Sequence, residues 1–168
     1  MNPFALPLAL ALLLSAPVDG MAQRRSDAST APGNPVTLSG SIGGKAYRTS
    51  GPGTCKHAPD ASIYDLPAAL WMIEFANPRG PEIRQLNLTL WKPKDGSPYQ
   101  VSLALETGSA SHHISFGGKR EPVGSATVKL TPSGSGGRFE LKGRDAEGAK
   151  VELSISCPAF AGVEAEGG

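Results

Sequence analysis

The chain predicts an all-β domain: an antiparallel sandwich or partly closed barrel of about eight or nine strands in mostly meander order, closed by one disulfide. Three observations predict it. Apolar residues alternate with polar ones along one short segment after another, which is the period of a half-buried strand. Turn signals, most of them containing glycine, separate these segments at intervals of about ten residues. The two cysteines of the chain, Cys55 and Cys157, stand near the two ends of the patterned region, behind an apolar leader.

The leader comes first. Phe4 to Ala16 is a continuous apolar run. It is too short to cross a bilayer, which takes about 20 apolar residues, and has the length of a signal-peptide core. Gly20-Met21-Ala22 follows, with small residues at the positions a signal peptidase reads, so residues 1–22 are expected to be a signal peptide cleaved after Ala22. No Lys or Arg precedes the apolar run. Residues 23–35 are polar, carry Pro and Gly and have no periodicity, and are expected to be a disordered linker. Residues 36–158 form the expected β domain, and 159–168 a flexible tail. No later stretch reads as a transmembrane segment.

Charge excludes one large class of partners. The chain has 16 Lys and Arg and 15 Asp and Glu, and Asp19 lies in the leader, so the remainder carries +2 (16 minus 14). So near-neutral a balance argues against a nucleic-acid surface. Gly (21) and Pro (15) are abundant and aromatics scarce at 6%, as expected of many short elements joined by tight turns.

The elements follow in order. Val36, Leu38 and Ile42 alternate with polar residues up to Gly43-Gly44, a hairpin signal, and Lys45 to Thr49 returns. Ser50 to Asp60, rich in Gly and Pro, reads as a loop carrying Cys55. Ala61 to Ala76 is ambiguous between strand and helix. Its middle has helical composition, but Pro67 interrupts it. Trp71, Ile73 and Phe75 alternate, so a strand over about Leu70 to Phe75 is preferred. Ile83 to Trp91 puts Leu86, Leu88 and Leu90 on one face. Asp95-Gly96 turns, and Tyr99, Val101, Leu103 and Leu105 return. His112, Ile114 and Phe116 share a side before Gly117-Gly118. Ala126, Val128 and Leu130 mark the next strand. Pro132 to Gly137 reads as a flexible loop. Phe139 and Leu141 follow, then the turn at Glu147-Gly148, then Val151, Leu153, Ile155 and Cys157.

Cys157 has the parity of the inward residues of its strand. An even cysteine count behind a leader implies an oxidising compartment, so a Cys55–Cys157 disulfide is expected. It would close a loop of about 100 residues, for roughly 4 to 5 kcal/mol at most.

Chemistry-bearing constellations are few. Cys55-Lys56-His57 spaces a thiol and an imidazole as copper or zinc ligands can be spaced, and His112-His113 is a tandem pair, so His57, His112 and His113 are the metal candidates. Strand neighbours point to opposite faces, which sets His112 and His113 apart. No nucleophile elbow and no phosphate-cradling glycine loop occurs, and neither a catalytic residue nor a cofactor is expected. Trp91 falls on the polar side of its strand near Lys92 and Lys94, and this group is the candidate binding surface, for carbohydrate or protein. The sequence therefore leads to an exported, monomeric, non-enzymatic binding or structural module, periplasmic or secreted, with a protein or envelope component as partner. Two alternatives stand beside it: a small-ligand carrier with a barrel cavity, and a periplasmic copper- or zinc-handling protein.

Overall fold

The computed structural model describes residues 35–118 and 121–163. The segments expected to be a signal peptide and a linker, up to residue 34, lie outside them, as do residues 119–120 and 164–168.

Eleven strands follow one another: β1 Val36–Ile42, β2 Lys45–Gly51, β3 Gly53–Ile63, β4 Leu66–Ala76, β5 Ile83–Pro93, β6 Gln100–Thr107, β7 Ser111–Phe116, β8 Ser125–Ser133, β9 Gly136–Arg144, β10 Lys150–Cys157 and β11 Ala161–Gly162. They form two sheets, in the orders β2-β1-β10-β9-β8 and β11-β3-β4-β5-β6-β7. All neighbours are antiparallel except β11, which runs parallel to β3. The two sheets pack together as a sandwich and not as a closed barrel. Consecutive hairpins dominate, as the turn spacing predicts, and β10 returns to pair with β1 in the middle of the first sheet.

The core is the sum of the inward parities. Leu38, Phe139, Leu141, Val151 and Ile155 of the first sheet face Ile73, Phe75, Leu86, Leu88, Leu90, Leu103, Leu105 and Ile114 of the second. All are almost completely buried. Each such side chain contributes about 1.5–3 kcal/mol by leaving water. This burial on one face of each strand is what holds the register, since a one-residue slip would turn every apolar side chain outward.

Three expectations change. The segment Ser50 to Asp60 is not a loop: β3 begins at Gly53, and Cys55 and His57 are its inward-facing residues. Prolines and glycines hide it, because Gly51-Pro52-Gly53 is where the chain passes from the first sheet to the second and Pro59 sits in an irregularity between Ala58 and Ala61. A bulge tolerates a proline because it needs no ladder hydrogen bond there. The helical alternative for 61–76 is also excluded: the whole of Leu66–Ala76 is strand, entered through a turn at Tyr64-Asp65. Lastly, Pro132 to Gly137 is no flexible loop. β8 runs through Ser133, and Gly136 and Gly137 are already the buried start of β9.

Chain continuity, a disulfide and hydrogen bonds connect the sheets. Gly51–Gly53 is continuous chain. The disulfide joins β3 to the last residue of β10, with Cα atoms 6.0 Å apart and 102 residues between them in sequence. At the opposite margin Ser115 and Val123 exchange backbone hydrogen bonds of 2.8 and 2.7 Å between β7 and the segment leading to β8. Beside it His112 of β7 meets Asp145 of the β9–β10 turn. Residues 159–163, the start of the expected tail, also carry structure. Phe160 packs on Phe139 with ring centroids 6.0 Å apart, and β11 adds itself to β3.

Candidate functional site

The outward side of the second sheet carries a cleft of about 230 Å³. Its floor follows from strand parity. Leu86, Leu88 and Leu90 of β5 point inward, so Thr89 and Trp91 point out. Register then places Trp91 opposite Gln100 of β6, and Thr89 opposite Ser102, which is opposite Ser115 of β7. The result is an indole–amide pair beside a row of three hydroxyls.

The wall comes from the β3–β4 hairpin, whose tip brings Ile63 and Tyr64 over this floor. The bulge after Ala58 strengthens the local twist and re-aims the tip. Asp60, in the bulge, accepts a 2.6 Å hydrogen bond from Nζ of Lys94 across the hairpin base. The lysine holds the exposed carboxyl of Asp60 below the ordinary carboxylate value. On the far side, Gly118 lies next to Gln100 and the Tyr64 hydroxyl: a Cβ built there would be 3.6 Å from Oε1 and 3.8 Å from the phenol oxygen.

The turn at the hairpin tip has an unusual composition. Tyr64 has φ +49° and Asp65 φ +67°. A two-residue hairpin turn needs left-handed backbone at both positions, which normally selects Gly, Asn or Asp. The β1–β2 turn meets that demand with Gly43 and Gly44, at +57° and +85°. Tyr64 meets it with a bulky side chain, half exposed at 51%.

Of the three residues the sequence offered as a binding surface, only Trp91 faces the cleft. Lys92 points to the other side, its Nζ 5.8 Å from the centroid of Tyr99, and Lys94 is committed to Asp60. Tyr64, Thr89, Gln100, Ser102, Ser115 and Gly118 were not legible as site residues. The signal that could have found the polar ones is the outward parity of β5, β6 and β7 combined with hairpin register.

The three histidines are apart in role. His57 stacks on Trp71, its register partner, with centroids 4.6 Å apart and planes at 6°, and tilts against Phe160 at 5.9 Å. Its Nε2 is buried without a hydrogen-bond partner among the described residues. Burial pushes this imidazole below its ordinary value of 6.5. His112 directs Nδ1 to Asp145, and His113 is exposed on the outward side. Cys55 is spent in the disulfide. Among the described residues no three His, Cys, Asp or Glu side chains converge as metal ligands would.

A second depression, of about 530 Å³, crosses the outward face of the first sheet over Thr37, Ser156, Arg138 and Glu140. It has charged walls and no aromatic side chain in its lining. Its apolar surface comes from Pro35, Pro132 and Pro158.

Fold and cleft together define a disulfide-linked β-sandwich with an aromatic-floored groove on one sheet. Comparison of the chain with protein families, characterised proteins and solved structures finds no match.

Proposed function

We propose that the domain is a non-enzymatic binding module of the cell envelope or extracellular space, and that it binds through the Trp91 cleft. One observation carries the reading: a half-buried tryptophan on the outward side of a sheet lines one cleft with the tip of a hairpin whose turn residues, Tyr64 and Asp65, have left-handed backbone. An outward strand position with no partner surface would ordinarily hold a small or charged residue. Trp and Tyr combine large apolar area with a polar handle and few rotatable bonds, which is why they recur in binding surfaces.

Export rests on the leader and on the disulfide, which persists in oxidising compartments. No helix among the described residues is long and apolar enough to cross a membrane. The carrier alternative called for a barrel cavity, and the open sandwich does not favour it.

The test is cosedimentation of the purified oxidised domain with envelope and secreted material of the producing organism. Wild-type protein is expected to be retained. Trp91→Ala, with an unchanged melting temperature, is expected to be lost from the pellet. Equal retention of the two proteins would defeat the reading.

A further inference from the structure

We propose that the ligand of the Trp91 cleft is a neutral saccharide, one ring of a glycan chain stacked on the indole and held at its edge by the amide and hydroxyls of β5, β6 and β7. The proposal rests on the binding-module reading and adds the chemical class of the ligand.

The argument starts from what the floor can satisfy. Trp91 supplies a flat apolar surface. Around it stand Gln100, Thr89, Ser102 and Ser115, four uncharged side chains that both donate and accept. Among the described residues none of these four side chains makes a hydrogen bond to another part of the protein. A wholly apolar ligand would cover these groups and leave them unsatisfied, at about 1–3 kcal/mol each. A charged ligand would find no countercharge among the described residues that line the cleft, since none of them is ionised at neutral pH. Lys92 and Lys94 face elsewhere. What remains is a neutral ring with an apolar face and a hydroxylated edge. The C–H face of a sugar ring and its equatorial hydroxyls meet both demands at once.

The second observation is independent of the floor. Tyr64 occupies a left-handed backbone position that costs an L-residue with a Cβ about 1–2 kcal/mol relative to glycine. Strain of this kind persists where the side chain is used. Here the side chain lines the same cleft as Trp91. Tyr64 and Trp91 give one cleft two aromatic side chains against which the C–H face of a sugar ring can pack. At about 230 Å³ the cleft is smaller than a drug-sized pocket of roughly 300–1,000 Å³, so it holds one ring of a longer chain while the ends run into solvent.

The experiment is isothermal titration of the oxidised protein with a panel of neutral oligosaccharides, of the glucan, mannan and chitin types, beside polygalacturonate and heparin as anionic controls. A neutral member is expected to bind, with an affinity that does not change between low and high salt. Trp91→Ala is expected to weaken binding about tenfold or more. Gly118→Phe, which fills the cleft from a position with ordinary backbone, should do the same while leaving the melting temperature unchanged. Failure of every neutral sugar to bind, or binding confined to the anionic controls and weakened by salt, would overturn the proposal. If glycans fail while Trp91→Ala still abolishes cosedimentation, the ligand class falls and the binding module stands. If cosedimentation is also indifferent to Trp91, both fall.

Discussion

Nδ1 of His112 lies 2.6 Å from Oδ2 of Asp145, and the pair ties the edge strand of one sheet to a turn of the other. Among the described residues Asp145 is the only buried acid or base of the Asp, Glu, Lys, Arg and His types, with its side chain 1% exposed. Its second oxygen accepts from the Ala149 backbone N–H at 2.7 Å, and Ala146 N–H donates to the His113 carbonyl at 3.1 Å. The pair therefore organises its own turn and clamps it onto β7. Asp145→Ala removes the acceptor oxygens of two part-buried donors, and a loss of about 1–3 kcal/mol is expected in urea unfolding. His112→Ala should cost a similar amount, and the double variant much less than the sum.

Acid should release the same clamp. Burial alone would raise the Asp145 carboxyl, but the His112 hydrogen bond, the Ala149 N–H and the His112 charge together hold it below 3.8. A folded-state value below the unfolded one means that the unfolded chain takes up the proton first. The stability from this group is therefore present above 3.8 and lost as pH falls through the lower folded value. Urea midpoints measured against pH should drop in that range, and Asp145→Asn should flatten the drop. An unchanged slope in Asp145→Asn would place the acid sensitivity elsewhere.

His57 predicts a second, milder pH dependence. Its imidazole is depressed by burial against Trp71 and Phe160, so protonation favours the unfolded chain. Stability from this site is complete above 6.5 and declines as pH falls through the depressed folded value. Proton NMR of the ring should show a titration below 6.5, and His57→Phe should remove the decline.

The disulfide encloses 102 residues of separation and both sulfurs are nearly buried. Chain entropy sets an upper stabilisation of about 4–5 kcal/mol for so large a loop. Cys55→Ala/Cys157→Ala should melt well below the oxidised protein. Dithiothreitol should act slowly on the folded domain and fast once urea has opened it. Non-reducing peptide mapping should recover the Cys55 and Cys157 peptides joined.

Replacing Tyr64-Asp65 with Asn-Gly gives the hairpin the residues its left-handed backbone prefers. The expected result is a domain about 1 kcal/mol more stable that has lost its saccharide affinity. Gly40 predicts the reverse sensitivity, for packing reasons. A Cβ there would fall 1.9 Å from the Glu152 carbonyl oxygen, inside the β1–β10 ladder. Gly40→Ala should lose roughly 1–3 kcal/mol or fail to fold.

The fold was legible wherever alternation met a glycine turn. Leu86-Leu88-Leu90 before Asp95-Gly96, and Val151-Leu153-Ile155 after Gly148, gave strand, face and hairpin together. β3 was not legible, because its inward residues Cys55 and His57 do not look apolar and its bulge carries Pro59. The Tyr64-Asp65 turn was hidden for a related reason: it breaks the residue preference by which such turns are found. Half of the candidate site depended on that turn. Trp91 was visible as an outward tryptophan, but Lys92 and Lys94, its neighbours in sequence, are engaged elsewhere. The true neighbours come from β6 and β7 and from the hairpin tip, through pairings that a linear pattern does not contain.

The pairing of β1 with β10 has a consequence for biosynthesis. The first strand made waits for almost the last before its second flank is filled. A nascent chain emerging from the ribosome or a translocation pore must carry Val36, Leu38 and Ile42 unsheltered until Val151 to Cys157 has followed, and premature hairpins would compete for that edge throughout. The native pairing of Cys55 with Cys157 can therefore form only once the strand that fills this edge has itself been made.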